Sequence, residues 1–399
     1  MKKRELQAIF ASFLVAGTVL AGCGGTEEAP KEEKKQEEAK PAEEAKDQEQ
    51  APAETTGAVA AQIEAYQVFS AEKDKLKEGG KVDWTNVEKA YSEQLQAAIN
   101  EVNGEYAQGI EAAIEAGKSE ELDSVVAMQL VDKLTQSYFY QKQKRLQKDA
   151  SAALAEKKAD EAKAMFDEIK QLADNVFIPT AEKRDTYYEL SGKDSVAENI
   201  RNGLKVQEEA LTAGNADDFQ VYVQLTDKSI YKVYYLAANG YAEKIEAAVA
   251  EGKEDELKIM QAEGYGFLQA IKESLSGGNE EAAKKLDELF SLDTDPKTIK
   301  AVEVNSLFNT AIIGKVTGYH EKVPEALAAN KTLDAKVEAL EGNMFMNMID
   351  LQLKKQLGED KTAELHQKAE KWFEAVANEK ADEAKSLSDE IKSSLSQIK

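Results

Sequence analysis

Two five-residue stretches of this 399-residue chain carry the same polar set: Gln129-Leu130-Val131-Asp132-Lys133 returns as Gln224-Leu225-Thr226-Asp227-Lys228. On a helix, residues four apart share a face, so Gln129 lies with Lys133 and Gln224 with Lys228, each beside an aspartate. A carboxamide, a carboxylate and an ammonium placed together can bind a polar ligand or can pair among themselves. Aromatic residues follow both stretches, Tyr138-Phe139-Tyr140 after the first and Tyr231, Tyr234 and Tyr235 after the second. Tyrosine offers an apolar face with a polar tip, which suits a groove wall and a core boundary alike. The candidate ligand-binding residues are therefore Gln129, Asp132, Lys133, Tyr138, Gln224, Asp227, Lys228 and Tyr235. The plainer reading is a structural polar pair copied by duplication.

Little else in the sequence has the makings of a reaction centre. The only histidines are His320 and His366. There is no His-Glu-x-x-His pair, cysteine cluster or EF-hand loop, so neither a zinc nor a calcium site is expected. No Gly-x-Ser-x-Gly elbow is present. Gly117-Lys118, Gly252-Lys253 and Gly314-Lys315 lack the upstream glycine of a phosphate loop and read as helix-ending turns. Met344-Phe345-Met346 and Met348-Ile349 form a soft apolar patch, expected as core, with an adaptable partner groove as the alternative. The expectation is a protein without catalytic residues, metal or cofactor.

Cys23 is the sole cysteine, and it ends the run Leu20-Ala21-Gly22-Cys23. Lys2, Lys3 and Arg4 precede an apolar stretch from Ala8 to Leu20. That stretch is shorter than the roughly 20 residues that span a bilayer and has the length of a signal-peptide core. The pattern resembles the lipobox of bacterial lipoproteins, over residues 1–25 only. The resemblance implies that residues 1–22 are a signal peptide, that the Cys23 thiol receives a diacylglyceryl group, and that cleavage leaves Cys23 as the N-terminus. The expected location is the extracytoplasmic face of the cell membrane. Two acyl chains suffice for stable anchoring where one does not.

Residues 23–57 carry this lipidated cysteine and a Glu/Lys/Ala/Pro-rich linker holding Pro30, Pro41 and Pro52. Dense charge with few apolar residues predicts disorder, and an extended linker of this length reaches roughly 100 Å. The whole chain has a formal charge of −24. Such acidity disfavours nucleic acid and anionic lipid heads as ligands and favours solubility or a cationic partner. With Cys23 lipidated, no cysteine is left for an intramolecular disulfide, so stability must come from packing.

From about Val59 onward, Ala, Glu, Lys, Leu and Gln recur with the apolar spacing of amphipathic helices, and no run alternates as a strand would. The fold class is all-α. Tyr106-Ala107, Ile110-Glu111-Ala112-Ala113 and Gly117-Lys118 return as Tyr241-Ala242, Ile245-Glu246-Ala247-Ala248 and Gly252-Lys253. A third copy runs from Gly318-Tyr319 to Asn330-Lys331. The offsets between repeats differ, which favours duplicated helical hairpins over a strict solenoid. The chain is too long for one comfortable core, so two bundle-like halves are expected, 58–200 and 201–399, with the break between Gly192 and Gly214.

Export and duplicated bundles are shared with the imelysin-like envelope proteins linked to iron, which the chain resembles weakly. Their Gly-x-His-x-x-Glu motif is not reproduced, because Val323 stands three residues after His320 where the glutamate belongs. The function expected is a membrane-anchored binding or scaffold module facing an envelope protein or a small ligand. An iron-delivery lipoprotein is the alternative.

Overall fold

Short polar side chains open six of the helices. Asp83, Asn103, Asp123, Ser195, Asn215 and Asn279 each accept a hydrogen bond from a backbone N–H of the first turn that follows. Each satisfies donors that the helix leaves unpaired, and removing such a cap costs about 1 kcal/mol. The computed structural model describes residues 59–398. Cys23, the signal peptide and the linker to residue 57 lie outside the described residues.

Among the described residues every regular element is helical. In chain order they are α1 (Ala60–Lys77), α2 (Trp84–Ala90), α3 (Gln96–Val102), α4 (Gly104–Lys118), α5 (Ser124–Ala155), α6 (Ala159–Leu172), α7 (Ile178–Tyr187), α8 (Val196–Thr212) and α9 (Ala216–Glu251). Then follow α10 (Leu257–Gln269), α11 (Lys272–Ser276), α12 (Glu280–Phe290), α13 (Ala301–Ala328), α14 (Thr332–Met348), α15 (Asp350–Leu357), α16 (Glu359–Ala377) and α17 (Ala381–Leu395). Single wide π turns, Tyr91–Leu95 and Ala173–Phe177, join α2 to α3 and α6 to α7.

Two long helices, α5 and α9, form the axis. Every residue of α9 from Leu225 to Ala242 is buried, as is every residue of α5 from Leu130 to Tyr140. A helix buried all round has no solvent face on which to place its polar residues. This departs from the amphipathic pattern expected throughout the body, and it puts both Asp–Lys stretches inside the protein. Around the axis, α4, α6 and α10 pack on α5, while α8, α10 and α14 pack on α9. The hairpins α13–α14 and α16–α17 complete the C-terminal part, and buried apolar residues from Val59 to Leu395 join in one cluster. Residues 200 and 201, where the two halves were expected to meet, both fall inside α8.

The turns correct two expectations and agree with others. Gly252, Gly214 and Asn330 adopt the left-handed conformation expected of helix-ending residues (φ +74°, +64° and +57°). Gly117 does not; it lies within α4, and a Cβ there would overlap the Trp84 ring. The left-handed residue of that turn is Glu120, and Lys157, Glu189 and Glu379 behave likewise at other turns. Gly314-Lys315 is no turn at all, since both residues sit mid-way along α13. The Met344–Ile349 patch is core, each of its apolar residues being buried.

Candidate functional site

Burial inside α5 forces Asp132 to find partners, and it finds four. Tyr66 of α1 donates its hydroxyl to Asp132 Oδ1 at 2.8 Å, and Gln136 Nε2 donates to the same oxygen at 2.9 Å. Lys133 Nζ reaches Oδ2 at 2.7 Å, and Lys73 Nζ pairs with the same oxygen. Burial alone would raise the Asp132 carboxyl, but the ammonium groups of Lys133 and Lys73 overcome it and hold it well below the usual carboxylate range. For Lys133 burial prevails over the attraction of Asp132, and its ammonium is pushed down to about 8. Lys133 also lies 4.8 Å from the centre of the Phe267 ring, a cation–π contact. Gly266 makes this approach possible, because a Cβ there would overlap the Lys133 side chain.

Asp227 of α9 has the same neighbour in sequence and the opposite balance of charge. Lys228 Nζ lies 2.6 Å from Asp227 Oδ2 and 2.8 Å from Glu341 Oε1 of α14. Tyr140 of α5 donates to Asp227 Oδ1 at 2.9 Å. Two ammoniums thus share one carboxylate at the first site, and two carboxylates share one ammonium at the second. Although burial opposes it, Asp227 and Glu341 raise the Lys228 ammonium well above the usual lysine range. Asp227 is lowered against its own burial by Lys228 and then by Lys144.

The two sites differ again in access. The second opens into a cleft of about 700 Å³. Its walls come from α5 (Tyr140 to Ala155), α9 (Gln220 to Lys228), the Ala270–Ser274 segment, Lys315 and Tyr319 of α13, and Glu341. Lys144, Lys148 and Lys315 line it, and among the described residues none of the three has a carboxylate within 4 Å. Burial, followed by the nearness of Lys228, lowers the Lys315 ammonium. Gln147 is 1% exposed, and neither its carboxamide nitrogen nor its oxygen has a partner.

No protein-family model, curated protein or solved structure matches the chain. The site must therefore be read from its own chemistry.

The sequence-derived set is only partly assembled. Asp132 with Lys133 and Asp227 with Lys228 form the two pairs. Gln129 and Gln224 are half-buried with their carboxamide oxygens unpaired, and only Gln224 borders the cleft. Tyr138 is placed elsewhere, donating to Gln62 Oε1 at 2.8 Å in the core. Tyr235 is also core, edge-on to Phe308 with ring centres 5.2 Å apart. Their places at the aspartates are taken by Tyr66 and Tyr140. Tyr140 was within reach of the sequence, two residues past Tyr138. Gln136, four residues past Asp132 on the same helix, was also within reach, whereas Tyr66, Lys73 and Glu341 carry no local signal, and Lys315 was concealed by its reading as a turn.

Neither histidine joins these sites. His366 Nε2 lies 2.7 Å from Asp350 Oδ1. His320 stacks on Trp372 with ring centres 3.8 Å apart, and its Nδ1 is 2.9 Å from Ser388 Oγ. Among the described residues no group of three or more His, Cys, Asp or Glu side chains is arranged to hold a metal ion.

His320 should make the fold acid-sensitive. Burial, assisted by Lys392 and opposed by Asp389, pushes its imidazole from 6.5 down to about 3. Between those values the unfolded chain takes up a proton that the folded chain refuses, so stability present above about 6.5 is lost as the pH falls, by up to ~1.4 kcal/mol per pH unit. Urea unfolding at pH 7, 6, 5 and 4 should show a shallower decline for His320→Phe than for wild type. Parallel declines would contradict a neutral buried imidazole.

Proposed function

We propose that this chain is a lipid-anchored, extracytoplasmic binding protein that holds a small ligand in the cleft beside Asp227 and Lys228. The cleft carries the reading. Its volume is within the roughly 300–1,000 Å³ usual for small-molecule sites. Its floor is a buried, fully paired ion triad and its wall includes the aromatic rings of Tyr140 and Tyr319. A rigid floor of this kind fixes ligand orientation without rearrangement. The Leu20–Cys23 box supports the anchor and the charged linker supports presentation of the body away from the membrane. No nucleophile–base pair can be named in the cleft, so the reading is binding rather than catalysis. No observation favours the iron-delivery alternative.

Two measurements test the two halves of the proposal. A bacterial host fed a clickable fatty acid should label the wild-type chain and leave Cys23→Ala unlabelled; label retained in the variant would refute the anchor. Native mass spectrometry of the full chain, released gently from membranes, should show a small bound molecule that Gln224→Trp excludes by filling the cleft. A wild type that carries no added mass, and that no metabolite of a broad panel stabilises against heat, would refute the binding reading.

A further inference from the structure

We infer that the ligand of this cleft is a small organic anion, bound through a phosphate or carboxylate group by Lys315 and Lys144 with Gln147 as a neutral donor; this rests on the binding reading above. The charge pattern comes first. The chain has a net charge of −24, yet the lining of this cavity carries four lysines, Lys144, Lys148, Lys228 and Lys315, against three carboxylates, Asp227, Glu273 and Glu341.

Their mutual repulsion is already expressed in the fold. Lys315 is made less basic by burial, then by Lys228, with Lys144 among the weaker contributors. Glu341 offsets part of this repulsion, and an incoming anion would relieve the remaining excess of positive charge. The aromatic rings below act in the same sense only weakly. Lys315 Nζ lies 5.5 Å from the Tyr319 ring centre and 5.4 Å from that of Phe345, contacts that hold a cation without neutralising it.

Gln147 supplies an independent indication. A carboxamide buried to 1% exposure with both polar atoms unpartnered is costly, and it borders this cavity. Turning the carboxamide into the cavity would let an anion accept from its N–H groups and would remove part of that cost. A cationic ligand has no such welcome. Asp227 already accepts from Tyr140 and Lys228, and Glu341 is paired with Lys228. Glu273 alone among the lining carboxylates is unpaired, and it is exposed at the rim.

Titration calorimetry of the full chain in detergent tests the inference with four probes: glycerol 3-phosphate, citrate, glycerol and spermidine. At least one of the two anions should bind with a dissociation constant below about 1 mM, and glycerol and spermidine should not. Raising the salt concentration should weaken that binding, because the contacts are between charges. Lys315→Gln should weaken it about tenfold, the loss of one charge-assisted contact, without lowering the melting temperature, because Lys315 has no ion pair to lose. Gln147→Leu should weaken it by a smaller factor. Binding of spermidine or glycerol in place of the anions, blocked by Gln224→Trp, would overturn the anion assignment and leave the binding reading standing. Silence of all four probes, in a chain whose co-purified molecule proves neutral or cationic, would overturn it too. Anion binding unaffected by Lys315→Gln and by Lys144→Gln would place the anion elsewhere and overturn it as well.

Discussion

Asp132→Ala should destabilise the protein by about 3–5 kcal/mol, among the largest effects of any single polar substitution in this fold. The change strands two cations, Lys73 and Lys133, and leaves the Tyr66 hydroxyl and Gln136 amide without their acceptor. Removing one partner of a buried ion pair commonly has this cost, because the charge left behind is neither solvated nor paired. Asp227→Ala should cost clearly less, since Lys228 keeps Glu341 at 2.8 Å. Urea unfolding of both variants at pH 7 measures the difference. Equal losses would mean that the opposite charge balance of the two sites has no energetic consequence. Acidification should tell the same story. The carboxyl of Asp132 is depressed in the folded state, so its contribution is fully present at neutral pH and disappears only below the ordinary carboxylate range.

The second large effect concerns two glycines that meet across the fold. Gly278, just past α11, rests its backbone on α13 at Gly314. A Cβ on Gly278 would overlap the carbonyl oxygen of Ala311, and one on Gly314 would overlap the carbonyl of Gly278. Backbone cannot swing aside as a flexible side chain can. Gly314→Ala is therefore expected to destabilise by about 3 kcal/mol, the upper end of ordinary overpacking. Gly318 is the internal control, one helical turn further along α13. It has open space around its Cβ position, so Gly318→Ala should be neutral or stabilise by up to about 1 kcal/mol through helix propensity. Thermal unfolding of the pair decides the matter. If Gly314→Ala melts no lower than Gly318→Ala, the close crossing is not what holds these segments together. Because Lys315 follows Gly314, the overpacked variant should also bind any cleft ligand less well.

How far the sequence spoke for itself can be judged from these same residues. Helical class followed from apolar spacing and from the lack of strand-like alternation, both of which are read within a few positions of one another. The doubled Gln-Leu-x-Asp-Lys stretch identified both ion pairs for the same reason. Their partners were not legible, because Tyr66 is 66 residues from Asp132 and Glu341 lies on a helix that only the tertiary fold brings to Lys228. The local rule for glycine misled at Gly117 and Gly314, where a missing side chain serves close packing rather than a left-handed turn. One local signal was present and could have been used. Val87, Tyr91, Leu95 and Ile99 are all buried at a strict spacing of four, as are Ile169, Ala173, Phe177 and Ala181. An α-helix turns 3.6 residues at a time and would carry such a run off the core face, whereas a single wide turn returns it. Both π turns lie inside these runs.

The left-handed residues at the helix ends have a bearing on how copies of this protein crowd together. Glu120, Glu189 and Glu379 occupy turn positions where glycine or asparagine would be less strained. Backbone comfort has yielded there to charge, so that even the tightest corners of the surface carry carboxylates. A predominantly acidic surface whose turns are also charged, with Lys157 the one cation alongside these three glutamates, offers a neighbouring copy few uncharged places to touch. Crowded molecules would hold one another apart by long-range repulsion, over a distance set by the salt around them, about 8 Å at physiological ionic strength. Spacing between molecules then becomes a property of the medium as much as of the protein.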